Sequence, residues 1–84
     1  MKIVFADRAW EDFTDWAEHD RKVAKRIIRL LKEIERDPFQ GIGKPEPLKH
    51  NLAGFWSRRI TDEHRLVYAV EKKQILVAQA RYHY

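Results

Sequence analysis

Residues 55–82 read Phe55-Trp-Ser-Arg-Arg-Ile60, Thr61-Asp-Glu-His64, Arg65-Leu-Val-Tyr-Ala-Val70, Glu71-Lys-Lys-Gln74 and Ile75-Leu-Val-Ala-Gln-Ala-Arg-Tyr82. Three segments of period two alternate here with two polar tetrapeptides. Such alternation marks strands, and short polar links between strands make antiparallel hairpins. The stretch therefore predicts a meander over Phe55 to Ile60, Arg65 to Val70 and Ile75 to about Tyr82. A sheet must bury one face, so the residues upstream have to supply the cover.

Lys2 to Phe5 alternates around Ile3 and Phe5 and reads as a short opening strand. Asp7 offers an N-cap, after which Trp10, Phe13, Trp16 and Ala17 recur at spacings of three and four, with Glu11, Asp12, Asp15 and Glu18 elsewhere around the wheel. Trp10 is expected in the helix–sheet core. A second amphipathic helix starts at the cap residue Asp20, carries Val23, Ile27, Leu30, Leu31 and Ile34, and ends at Asp37 before Pro38. Its other face is Arg21, Lys25, Arg29, Lys32 and Arg36. The predicted fold is α+β, of order β-α-α-β-β-β, with two helices on one face of an antiparallel sheet and the other face left for a site. At 84 residues the chain is read as a single domain, 1–84.

Residues 38 to 47, Pro-Phe-Gln-Gly-Ile-Gly-Lys-Pro-Glu-Pro, hold all three prolines and two of the three glycines. Flanking prolines keep Glu46 in an extended backbone with little freedom, which suits a carboxylate that must be aimed. A rigid crossover from helices to sheet would use prolines equally well.

With no cysteine, disulfides and thiolate zinc sites are excluded and nothing argues for an oxidising compartment, so the cytoplasm is the expected location. No apolar run is long enough for a membrane span. The net charge of +4 is unevenly placed: residues 1–42 carry nine basic and nine acidic side chains, residues 43–84 eight and four. A basic half interleaved with Phe55, Trp56, Tyr68, Tyr82 and Tyr84 fits a polyanion-binding face, and fits a well-solvated basic surface too. His19, His50, His64 and His83 lack metal-ligand spacing, and no phosphate-cradling glycine motif occurs, so neither a metal nor another cofactor is expected. Ser57 lies in a strand pattern without the glycine frame of a nucleophile elbow.

What remains is a set of acids, bases and cations: Glu46, Lys49, Arg58, Arg59, Arg65, Arg81 and His83. Metal-free RNA cleavage needs such a set, in which a base deprotonates the 2′-hydroxyl, cations stabilise charge at phosphorus, and an acid protonates the leaving oxygen. The simple register opposes Arg65 with Ala80, which puts His83 on the other face. A bulge, or departure of the tail from the sheet, is required to unite Arg65 and His83.

Residues 43–60, Gly-Lys-Pro-Glu-Pro-Leu-Lys-His-Asn-Leu-Ala-Gly-Phe-Trp-Ser-Arg-Arg-Ile, together with His64-Arg-Leu-Val-Tyr68 and Arg81-Tyr-His-Tyr84, resemble the YoeB family of bacterial toxins within the RelE superfamily. Three motifs in order carry the resemblance over half the chain. Ala53 departs from the serine expected there and touches nothing catalytic. The resemblance implies a ribosome-dependent, metal-independent endoribonuclease that cleaves mRNA in the ribosomal A site. It implies Glu46 as general base, His83 as general acid, Arg65 as the transition-state stabiliser and Tyr84 as a substrate-positioning or stacking residue. Lys49 and Arg59 follow as supporting phosphate contacts. The implied partners are mRNA and the ribosome, a YefM-like antitoxin whose largely disordered C-terminal part folds onto the toxin, operator DNA only as the toxin–antitoxin complex, and a second copy in a homodimer. Two rivals stand beside this: a ParE-like inhibitor of DNA gyrase on the same general fold, and a ribosome-binding translation blocker. Neither needs Glu46 and His83 as a pair.

Overall fold

A computed structural model describes residues 1–82, so His83 and Tyr84 lie outside the described residues. Its elements are β1 (Lys2–Phe5), α1 (Asp7–His19), α2 (Arg21–Arg36), β2 (Glu46–Pro47), a 3-10 turn (His50–Leu52), β3 (Phe55–Arg59), β4 (Arg65–Glu71) and β5 (Gln74–Gln79). The meander forms where the alternation placed it. Asp20 caps α2 by accepting from the Val23 amide, and α2 stops at Arg36, two residues ahead of Pro38. α1 starts one step differently: Ala6 holds the cap position without a side-chain bond, and Asp7 sits in the first turn, where a carboxylate favours the helix dipole.

The five strands lie in the order β1-β5-β4-β3-β2. The expected antiparallel sheet is in fact mixed, because β1 runs parallel to β5, with Lys2 beside Gln74 and Phe5 beside Val77. The meander leaves β5 with an open edge, and the crossover through both helices lets β1 lie along that edge in the same direction. Glu46 and Pro47 add a strand that was not foreseen, at the opposite edge, paired antiparallel with β3.

Ile27, Leu30 and Ile34 of α2 have no exposed surface and pack with Leu66, Tyr68, Ile75 and Val77 of the sheet. Trp10 does not share this core, as it is 53% exposed. On α1 the core axis runs through Ala9, Phe13 and Trp16, at i, i+4 and i+7, and Trp10 stands about 100° from Ala9. It rests instead on the rings of Phe5 and Phe13 at the rim.

The core face of β3 presents Arg58 between Trp56 and Ile60. Arg58 has no exposed surface. Its Nη2 donates to the carbonyls of Asp37 (2.7 Å) and Gln40 (3.0 Å), its Nη1 to the carbonyl of Ile42 (3.1 Å), and its Nε to the Tyr68 hydroxyl (3.2 Å). That hydroxyl in turn donates to the carbonyl of Pro38 at 2.6 Å. One guanidinium and one phenol thus hold the backbone of residues 37–42. Gly43 completes the docking, with its carbonyl accepting from the Arg59 amide at 2.6 Å. A Cβ at Gly43 would stand 2.8 Å from Leu30 Cδ2, and its φ of +82° is a left-handed conformation, so glycine is required there on both counts. Among the described residues no helix is long and apolar enough to cross a membrane.

Replacing Arg58 by alanine strands these carbonyls and opens a cavity, and should cost about 3 kcal/mol or more in urea denaturation. Burial holds the Tyr68 hydroxyl above its ordinary 10.0. A group whose folded value is raised contributes stability that is complete below its unfolded value and lost as pH rises through the folded one. Stability should therefore fall more steeply above pH 10 in the native protein than in Tyr68→Phe, measured as denaturation midpoints across that range.

Candidate active site

In an antiparallel ladder directly opposed residues share a face. Glu46 opposes Ser57, Ser57 opposes Val67, and Val67 opposes Gln79, so one row crosses β2, β3, β4 and β5. Two residues further along β3, Arg59 opposes Arg65. Glu46, Arg59 and Arg65 are thereby brought to one sheet face, away from the helices. The strand spacing puts the Arg65 backbone two strands, roughly 10 Å, to the side of Glu46, within the combined reach of a glutamate and an arginine.

Arg65 is 8% exposed and is aimed by its own loop. Its Nη1 donates to the carbonyls of Thr61 (2.7 Å), Asp62 (3.0 Å) and His64 (3.1 Å). The Thr61 hydroxyl accepts from the amides of Glu63 and His64, which fixes that loop in turn. Among the described residues, Nε and Nη2 of Arg65 donate to no acceptor, which leaves two nitrogens of a planar, permanently charged fork for an anion.

Glu46 is exposed in the extended backbone its prolines dictate. It lines an open depression of about 420 Å³ together with Pro47, Leu48, Lys49, His50, Asn51 and Leu52. Lys49 is exposed and caps the 3-10 turn by its backbone, with its carbonyl accepting from the Leu52 amide. Arg59 is exposed as well. Two other cations of the expected set are placed elsewhere: Arg58 is buried under the loop, and Arg81 is bound to α1.

The last described residues are tied down. Ala80 donates its amide to Asp12 at 2.9 Å and accepts at its carbonyl from Trp16 Nε1 at 2.8 Å. Arg81 donates to Asp15 at 2.6 Å with its guanidinium 4.2 Å over the Trp16 ring. Its hydrogen bond holds the Asp15 carboxyl below the ordinary value, with the charges of Arg81 and His19 adding to it against some desolvation. The register breaks between Val67 and Tyr68 of β4, where Ala78 is extra on β5. This is the bulge that the simple register lacked. It ends the strand at Gln79 rather than Tyr82 and turns the chain toward the Arg65 amide, which donates to the Tyr82 carbonyl at 3.0 Å. His83 and Tyr84, two of the expected site residues, lie outside the described residues. Asp12, Asp15 and Trp16 as tail anchors were not foreseen, since no spacing rule links a helix to a strand end some 65 residues on.

With this geometry in place, the chain can be set against known proteins. Residues 5–84 match the family model described as the YoeB-like toxin of bacterial type II toxin–antitoxin systems. The chain belongs to the YoeB family of toxins. Toxin YoeB of Streptomyces coelicolor is 61% identical to it over 84 residues, covering 100% of both chains. The solved YoeB dimer from Staphylococcus aureus superposes with a TM-score of 0.94 at 48% identity, covering 100% of this chain and 98% of that one. A YoeB–YefM complex from the same organism gives 0.93 at 47%, with the same coverage. In this YoeB-family chain the matched region takes in both the loop bearing Glu46 and the tail that α1 holds.

A carboxylate whose folded value is depressed contributes stability above its unfolded value and loses it as pH falls through the folded one. The native protein should accordingly lose more stability than Asp15→Asn between pH 5 and pH 2, read as denaturation midpoints in urea.

Proposed function

We propose that this single domain, residues 1–84, is a ribosome-dependent endoribonuclease that cuts mRNA in the ribosomal A site without a metal. The carrying observation is the shared sheet face of Glu46, Arg59 and Arg65, bordered by the tail that continues into His83. Glu46 removes the proton of the 2′-hydroxyl, and the freed oxygen attacks phosphorus. Arg65 stabilises the added negative charge on the phosphoryl oxygens, with Lys49 and Arg59 holding neighbouring phosphates. The bond to the 5′-oxygen breaks as His83 protonates it, leaving a 2′,3′-cyclic phosphate and a 5′-hydroxyl. Tyr84 stacks on or positions the substrate.

In-line alignment of the 2′-hydroxyl forms a large part of the barrier, and an mRNA prearranged by the ribosome removes it. The complex of the S. aureus relative supports a YefM-like antitoxin as the inhibitory partner, and the relative's dimer supports a homodimer; operator DNA is a partner of the toxin–antitoxin complex only. The site of action is the cytoplasm, where mRNA meets ribosomes.

On programmed ribosomes at saturation, Glu46→Gln and His83→Gln should each cut at least about 100-fold more slowly, with ribosome affinity unchanged. Arg65→Lys should lose rate as well, since a lysine keeps the charge but not the two-point contact. Collapse of affinity instead of rate would make these residues binders.

A further inference from the structure

His64 is not part of the acid, base and cation set, yet it occupies the junction between α1, the β3–β4 loop and the tail. Its side chain is 12% exposed. The ring lies edge-on to Trp16, with centroids 4.9 Å apart, and its other side meets Tyr82 at 5.3 Å. Its Nδ1 is 2.8 Å from the Tyr82 backbone nitrogen. A backbone N–H can only donate, so Nδ1 accepts and carries no proton. The ring hydrogen then sits on Nε2, which faces the Glu63 carboxylate at 3.6 Å.

Tyr82 is thus held at both backbone groups by two consecutive residues, its amide by His64 and its carbonyl by the Arg65 amide. It needs holding. Its φ of +61° is left-handed, a conformation that a bulky side chain adopts only when its surroundings impose it. The next residue in the chain is His83, and the residue next to His64 is Arg65. The clamp therefore ties the residue before the proposed general acid to the loop end that carries the phosphate-binding Arg65.

We propose that His64 is a positioning residue, whose unprotonated Nδ1 fixes the backbone of Tyr82, the residue that precedes His83 in the chain, and thereby supports cleavage. This rests on the nuclease activity proposed above. Because the acceptor matters and proton transfer does not, asparagine, whose Oδ1 can take the place of Nδ1, should substitute for histidine. Phenylalanine keeps the ring between Trp16 and Tyr82 but removes the acceptor.

The test compares native protein, His64→Phe and His64→Asn in two measurements. The first is hydrogen exchange of the Tyr82 amide in the free protein, which needs no activity. The second is single-turnover cleavage on saturating programmed ribosomes, with affinity measured alongside. The Tyr82 amide should be protected in native protein and His64→Asn and exchange freely in His64→Phe, with core amides of α2 unchanged in all three. The cleavage rate should fall by about tenfold or more in His64→Phe, without loss of affinity, and recover in His64→Asn. An unprotected native Tyr82 amide, or full-rate cleavage by His64→Phe, overturns the proposal. So does a His64→Asn variant as slow as His64→Phe, which would make His64 a proton-transfer group. Native protein that protects Tyr82 but cuts no programmed mRNA overturns the nuclease activity and leaves the clamp standing without its catalytic role.

Discussion

A positive charge with no exposed surface governs the arrangement of this molecule. Arg58 sits on the core face of β3, where its neighbours in the alternation are Trp56 and Ile60, and it is satisfied there only because residues 37–42 fold over it and present their carbonyls. An unpaired buried guanidinium would be costly, so loop and arginine require each other. The loop is set at one end by the stop of α2 and at the other by Gly43 on the Arg59 backbone. Only Lys44 separates that anchor from Pro45 and Glu46. The prolines keep the segment extended, and the extended segment becomes the edge strand that carries Glu46 onto the face of Arg65.

The other side of the candidate site depends on α1. Asp12, Asp15 and Trp16 bind Ala80 and Arg81, and His64 and Arg65 bind Tyr82. These contacts involve backbone groups, ion pairs and aromatic faces, and they replace the sheet pairing that ends at Gln79. The tail therefore departs from β5 in a defined direction. The price of this arrangement is the left-handed backbone at Tyr82.

Local rules made much of this legible. The hairpin links, the Asp20 cap and the stop at Pro38 each depend on a few adjacent residues, and all stand where the sequence put them. The parallel β1, the bulge at Ala78 and the pairing of Asp15 with Arg81 are decided by contacts between distant segments, which periodicity does not encode. Arg58 is an intermediate case. Its parity with Trp56 and Ile60 marks it as inward-facing, but its charge drew it into the expected site set. Trp10 was misplaced because spacings of three and four describe a stripe wide enough to include the rim, and only the axis through Ala9, Phe13 and Trp16 reaches the core. The roles of Glu46, Arg65, His83, Tyr84, Lys49 and Arg59 came from motif resemblance, since neither composition nor spacing separates a catalytic histidine from a surface one.

The central claim is acid–base transesterification of mRNA held by the ribosome. Its most direct measurement is the chemistry of the new 3′ ends on a defined mRNA, incubated with pure protein in the presence and absence of a programmed ribosome. The account predicts 2′,3′-cyclic phosphate, or its hydrolysis product, at the A-site codon and only with the ribosome present. Ends bearing a 3′-hydroxyl, or intact mRNA on a stalled ribosome, would contradict it.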